Sequence, residues 1–109
     1  MSRIFADYDS TYSSHPEIHG LVDAIITGNS WQNADDIYGQ EIDLTLPVFF
    51  NPVTDANNNQ SKIILHKAEI INRCGVTRFF EDQPQEVAQL KILCPDCKIT
   101  LVKEGVTAI

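Results

Sequence analysis

Hydrophobic residues recur with two different periods along the chain, and these periods predict the elements of the fold. In residues 14–28 the apolar side chains follow the i, i+3, i+4, i+7, i+8 spacing of one helical face, which predicts an amphipathic helix. Pro16 fits the first turn of that helix, and Gly28 is a typical residue just beyond a helix end. Residues 62–74 carry a broader apolar stripe. We interpret it as a second helix, although the β-branched residues are also compatible with a strand.

Alternation of apolar and polar residues predicts strands elsewhere. Residues 41–50 begin as a strand, and Pro47 makes it an edge strand or bends it, because proline cannot donate to a ladder. Residues 76–82 predict a short strand. Residues 90–103 predict a β-hairpin, in which two alternating segments flank the tight turn Cys-Pro-Asp-Cys at 94–97.

Together these elements predict an α+β fold, with two helices packed on a small, mostly antiparallel sheet of three to four strands and a C-terminal β-hairpin. The length of 109 residues favours a single domain over 1–109. Residues 1–13 are expected to form a loosely ordered N-terminal segment, in which Tyr8 and Tyr12 share a helical face and dock on the core or on a partner. The asparagine-rich residues 51–61 are expected to form a mobile loop.

Charge is distributed unevenly along the chain. The formal net charge is −7, of which residues 1–61 carry −8 and residues 62–109 carry +1. The acidic half argues against direct binding of nucleic acid, because phosphates would be repelled. It favours a protein partner with a basic surface, for which mimicry of nucleic acid is one version. The alternative is a solvated surface that keeps the protein in solution.

These features predict a small acidic, non-enzymatic protein-binding domain of the inhibitor, immunity-protein or adaptor type. The expected partner-binding residues are acids and aromatic rings of the first half: Trp31, Asp35, Asp36, Tyr38, Tyr8 and Tyr12. A competing interpretation of Trp31 is a lid over the protein's own core. No GxSxG motif or phosphate-cradling glycine loop is present in the sequence. The adjacent acids at 35–36 and 81–82 are interpreted as solvated loop and turn residues rather than catalytic pairs.

The cysteines give two alternative functions. Cys94 and Cys97 are spaced as two ligands of a zinc ion, and Cys74 and His66 are the candidates for the other two, so a zinc-stabilised accessory subunit of a larger complex is one alternative. A thiol-disulfide oxidoreductase is a weaker one, because no helix N-terminus is predicted next to the turn to lower a thiol pKa. The favoured interpretation has no cofactor and three reduced, structural cysteines.

The expected location is the cytoplasm, of a cell or of a virus-infected cell. No apolar stretch reaches the roughly 18 to 20 residues that span a bilayer. The first ten residues contain no apolar run of the secretory type. Three cysteines in 109 residues do not form a disulfide framework, which favours a reducing compartment.

Overall fold

The computed structural model of the protein describes residues 3–41, 44–103 and 106–107. Its strands are β1 (Ile4–Ala6), β2 (Ala24–Ser30), β3 (Val48–Asn51), β4 (Arg78–Glu81), β5 (Lys98–Lys103) and β6 (Val106–Thr107). Its α-helices are α1 (Ala34–Tyr38), α2 (Gln60–Cys74) and α3 (Pro84–Leu93). The strands form one sheet in the order β3-β2-β1-β4-β5-β6. The strands β1 to β5 are parallel, and β6 pairs with β5 in the antiparallel direction.

The strand order places β1 at the middle of the sheet. The chain runs outward from β1 through β2 to β3, then crosses back to β4 and continues outward to β5. The direction of travel therefore reverses at β1, between its neighbours β2 and β4. In open parallel sheets such a reversal leaves a crevice at the carboxyl ends of the strands, and ligands bind there.

Two apolar clusters cover the two faces of the sheet. Helices α2 and α3 pack on one face, where Phe5 and Phe79 point, while α1 and the β1–β2 connection pack on the other, where Ala6 and Phe80 point. The neighbours Phe79 and Phe80 are both 0% exposed, since each lies under its own layer. The carboxyl ends of the strands are thus held between two packed layers.

The predicted α+β fold class is wrong. The described residues form three α-helices rather than two, and their five parallel strands replace the small, mostly antiparallel sheet of three to four strands, so the fold is α/β. Strands that are buried on both faces lack the apolar–polar alternation on which the prediction depends.

The predicted C-terminal hairpin over 90–103 is also wrong. Its first half belongs to α3, and its second half is β5, which pairs in parallel with β4. Pro84 occupies the first turn of α3, and the buried Val87 and Leu90 lie three residues apart. The apparent alternation from Leu90 onward is therefore the end of a helical stripe.

The helix predicted over 14–28 is a third error. Most of the second half of this segment is the strand β2, whose first four residues are all buried. Two 3-10 turns precede the strand. A buried central strand and one face of a helix give similar short apolar runs. Gly28 lies within β2, where an added Cβ would come within 2.7 Å of Ile63 Cγ2. The glycine permits this close approach of α2 and does not end a helix.

Other predictions agree with the structure. The helix expected over 62–74 is α2, and Gly75 follows it with φ of 63°, the left-handed conformation in which helices commonly end. The strand expected over 76–82 contains β4. The edge strand expected over 41–50 forms only after the proline, as β3, and residues 42–43 of that prediction lie outside the described residues.

The two segments expected to lack order contain regular elements. The N-terminal segment includes β1, and 51–61 includes a 3-10 turn and the start of α2. None of the helices in the described ranges is long and apolar enough to cross a membrane.

Candidate active site

Carboxylates meet where the central strands β1 and β4 end. Asp7 follows β1 directly, Glu81 is the last residue of β4, and Asp82 comes next. Because β1 and β4 are parallel neighbours, their carboxyl ends lie side by side at the crevice described above. One oxygen of each of these three residues lies within 4.8 Å of the others, and no other group of three or more metal-binding side chains does so among the described residues. Asp7, Glu81 and Asp82 are called the carboxylate site below.

A buried lysine occupies the centre of the site. Lys67, on α2, is 2% exposed, and its Nζ lies 3.1 Å from Asp7 Oδ1, 2.9 Å from Glu81 Oε2 and 2.8 Å from Glu86 Oε1. Glu86 reaches the lysine from the first turn of α3. One ammonium group therefore fixes carboxylates from β1, β4 and α3 in a single arrangement.

The loop after β1 supplies a hydroxyl group between two of the acids. Thr11 is buried, and its Oγ1 lies 3.1 Å from Asp82 Oδ1 and 3.3 Å from Asp7 Oδ2. Ser10, just before it, has φ of 58°, a left-handed conformation that is uncommon outside glycine. This sharp turn folds the loop back over the end of β1.

A cavity of about 180 Å³ opens beside these groups. It is lined by Asp7, Lys67 and the acids after β4, together with Asp9 and the end of β2. Asp9 is exposed, and its Oδ2 accepts a hydrogen bond of 2.9 Å from Asn29 Nδ2. The cavity thus holds a buried carboxylate, Asp7, and an exposed one, Asp9, two residues apart.

The charges in the site are not balanced. Burial raises the pKa of Asp7 to about 6, against the opposing charge of Lys67. Burial also raises the pKa of Glu81 to about 9, and the nearby Asp7 charge adds to this. Burial alone would lower the pKa of Lys67, but the surrounding carboxylates outweigh it and raise that pKa. The lysine therefore stays cationic, yet several acids share its single charge. Such a site favours a further cation.

The expected partner-binding residues fall into two groups. Trp31 is 62% and Tyr38 45% exposed, and Asp35 and Asp36 are also on the surface. All four follow the carboxyl end of β2. Tyr8 and Tyr12, in contrast, are 1% and 7% exposed and belong to the core. Their rings lie under the surface, so they are not available as anchors for a partner, and the lid interpretation of Trp31 does not match its exposure.

The thiols lie at the opposite edge of the sheet, before β5. Cys94 and Cys97 are buried in the apolar cluster under α2 and α3, and Cys74 is partly buried against it. His66 instead lies close to Phe49 O, at 3.4 Å from Nε2. The three cysteines and His66 do not form a group with metal-binding distances within the part of the chain that the structure describes.

The residues of the carboxylate site were not among the predicted site residues. The interpretation of Glu81 and Asp82 as solvated turn residues is wrong for Glu81, which is 0% exposed. Two sequence signals mark the site: an apolar run that ends in acids, IFAD and FFED, and a lysine within an apolar helical stripe. They become informative once both runs are assigned to parallel strands, because the acids then meet at one edge.

Comparisons with known proteins give no family for this chain. No family model matches it, and no curated protein or solved structure is significantly similar to it.

Proposed function

We propose that the protein is a magnesium-dependent phosphohydrolase that uses Asp7 as its nucleophile. The observation that carries this proposal is the contact of Lys67 with Asp7 beside the other carboxylates, at the crevice where the strand order reverses. Aspartate carboxylates act as nucleophiles in enzymes that form aspartyl-phosphate intermediates. This proposal differs from the non-enzymatic binding domain predicted from the sequence, which stays a prediction.

The donor set of the site fits magnesium. Asp7, Glu81 and Asp82 offer only carboxylate oxygens, the ligands that Mg²⁺ prefers, and soft sulfur and imidazole ligands are not part of the group. When bound, the ion would neutralise phosphate charge and polarise the phosphoryl group.

The first step would be attack by the buried carboxylate. A carboxylate oxygen of Asp7 forms a bond to the phosphorus of a phosphate monoester, while the bond from phosphorus to the leaving oxygen breaks. Lys67 and Thr11 hold the carboxylate of Asp7 in place from two sides, which reduces the reorganisation that the reaction requires. The lysine ammonium also stabilises the negative charge on the phosphoryl oxygens.

Asp9 is placed to transfer protons. In its acid form it gives a proton to the leaving oxygen, and as a carboxylate it then takes one from the water that attacks the aspartyl-phosphate. That second step releases inorganic phosphate and restores Asp7. Asn29 fixes the orientation of Asp9 through its 2.9 Å hydrogen bond, and the exposure of Asp9 gives water access to the same position.

Hydrolysis of p-nitrophenyl phosphate tests the proposal. We expect phosphate release that requires Mg²⁺ and is lost in chelator. Asp7→Asn should lower the rate by more than about a thousandfold, the scale on which hydrolases lose activity with their nucleophile. Asp96→Asn, which removes an exposed acid at the opposite edge, should keep the wild-type rate. Full activity in Asp7→Asn would exclude the proposed function, as would a wild type that hydrolyses neither p-nitrophenyl phosphate nor any other phosphate monoester tested.

A further inference from the structure

Charged residues are sorted between the two edges of the sheet. Outside the carboxylate site, exposed acids follow the carboxyl ends of three strands: Asp9 after β1, Asp35 and Asp36 after β2, and Asp55 after β3. These four residues are called the acidic rim. All of them lie on the edge at which the cavity opens, since parallel strands end on the same side.

Basic residues are concentrated at the other edge. Five of them are located at the starts of strands or the ends of helices: Arg3, Arg73, Arg78, Lys91 and Lys98. At the carboxyl edge are Lys62 and the buried Lys67, with Lys103 as the last residue of β5. The exposed acids Asp23 and Asp96 also lie at the far edge, before β2 and β5, but the basic residues there outnumber them. The mouth of the cavity therefore lies in a negative field, while the far edge has a net positive charge. Such a field attracts cationic ligands and repels polyanions before contact.

Two aromatic rings are exposed within this negative edge. Trp31 and Tyr38 follow β2, and Asn29, which lines the cavity, precedes Trp31 by two residues. The turn that carries Trp31 is fixed by side-chain hydrogen bonds: Ser30 Oγ accepts from Gln32 N at 3.1 Å, and Gln32 Oε1 accepts from Asp55 N at 3.2 Å. An exposed ring on a fixed turn is a preorganised contact, and aromatic faces attract guanidinium and ammonium groups.

From this arrangement we propose that the phosphate monoester hydrolysed at Asp7 is a phosphorylated side chain in a peptide segment rich in arginine and lysine. This inference rests on the proposed phosphohydrolase function and adds its substrate class. The acidic rim attracts the basic residues around the phosphorylated position, and Trp31 and Tyr38 contact their cationic groups. Lys67 would balance part of the charge of the phosphate itself, and a cation held by Asp7, Glu81 and Asp82 would balance more of it. A terminal phosphate on nucleic acid would carry further phosphates against the rim, where they are repelled.

Matched substrates test the inference. Two phosphoserine peptides of equal length, one flanked by two arginines on each side and one by two aspartates, are compared with p-nitrophenyl phosphate and with a 5′-phosphorylated oligonucleotide. We expect kcat/KM to be at least about tenfold higher for the arginine peptide than for either anionic substrate, at the lower end of electrostatic rate effects. The difference should shrink strongly in 0.5 M NaCl, because salt screens exposed charges.

Variants distinguish the effect of the acidic rim from the effect of total charge. Asp35→Asn combined with Asp36→Asn should lower kcat/KM for the arginine peptide severalfold and leave the rate on p-nitrophenyl phosphate unchanged. Glu69→Gln combined with Asp96→Asn removes the same charge away from the rim and should change neither. Activity on p-nitrophenyl phosphate with equal or reversed preference among the charged substrates would overturn this inference alone. Absence of activity on every substrate would overturn the proposed function, and the inference with it.

Discussion

The carboxylate site and the turn at 94–97 both bring potential metal ligands together at an end of the sheet, but only the carboxylate site contains a cation that opposes the effect of burial on ionisation. At the carboxylate site, an ammonium group and a hydroxyl group contact the acids directly. At the turn, the two thiols are buried among apolar side chains, and the Sγ atom of Cys94 lies 3.8 Å from Ala68 O. Burial therefore raises the pKa of Cys94, and it raises that of Cys97 to about 12.

This difference shows why residue spacing alone is a poor guide to chemistry. The two cysteines have a spacing typical of ligands or redox pairs, yet among the residues with a described position no cation or helix N-terminus favours their thiolates. The turn follows the carboxyl end of α3, where the helix dipole is negative and disfavours a nearby anion. The acids come from distant parts of the sequence, but a buried lysine offsets part of the effect of burial on their ionisation. Charge compensation, not spacing, is therefore the physical difference between the two clusters.

The largest expected effect is a loss of stability when Lys67, the cation that distinguishes the carboxylate site from the thiol turn, is removed. Lys67→Met leaves the buried acids without their cation, so it should lower the free energy of unfolding by about 3 kcal/mol or more, the usual result of breaking a buried ion pair. Activity should also be lost. Urea unfolding at pH 8 in chelator measures the change in stability.

The matched control is Lys91→Met, an exposed lysine on α3, which should change stability by less than about 0.5 kcal/mol. If Lys67→Met proved as stable as Lys91→Met at this pH, the lysine would not be compensating the acids, and the contrast with the thiol turn would lose its basis.

An effect of intermediate size on protein stability is expected from changes in pH and from added magnesium. The raised pKa of Glu81, about 9, means that between its ordinary value near 4.5 and about 9 the unfolded chain has released a proton that the native protein keeps. Unfolding then releases a proton, so the stability of the metal-free protein should fall as pH rises from 7 to 9. The histidine His66, whose pKa burial lowers, contributes below its ordinary value of 6.5 and so lies outside this window.

Thermal melts at several pH values in chelator measure this slope, and Glu81→Gln should reduce it. A smaller slope near pH 9 should remain from Cys94 and Cys97, whose pKa values burial also raises. Added Mg²⁺ should raise the melting temperature of the wild type at pH 8, by linkage to binding at the native site. The same addition should have a smaller effect on Glu81→Gln. A wild-type melting temperature that rises with pH in chelator, or does not respond to Mg²⁺, would contradict this account of the site.

The sequence allowed prediction of the local elements whose pattern has one interpretation. The helical stripe of α2 and its glycine end were predictable because helical period and a left-handed C-terminal residue agree there. The central strand β2 was not, because its apolar run AII, followed by the buried Thr27, matches a helix face equally well. Together with the wrong hairpin over 90–103, that error led to the wrong fold class, because parallel strands are recognised by their crossover connections.

Prediction of the candidate site also depended on the correct assignment and pairing of the strands. Asp7 and Glu81 are 74 positions apart in sequence, and only the parallel pairing of β1 with β4 brings them together. A prediction of the site therefore required the topology first. The exposed rim was partly predictable, because Trp31 and the acids at 35–36 indicate a surface by composition alone. The burial of Tyr8 was not predictable in this way, because it depends on the path of the chain after β1.

The smallest effect is expected at the thiol turn, where alkylation tests whether the buried cysteines are protonated and unreactive. At pH 8 the thiolate fractions of Cys94 and Cys97 should be very small, because burial raises both pKa values. Iodoacetamide should therefore modify the partly buried Cys74 first and the other two only after unfolding, as mass spectrometry of digested protein would show. Denatured protein, in which all three react, is the control for accessibility. Rapid alkylation of Cys97 in the native protein would instead indicate a stabilised thiolate, return the oxidoreductase alternative to consideration, and remove the distinction between the two clusters.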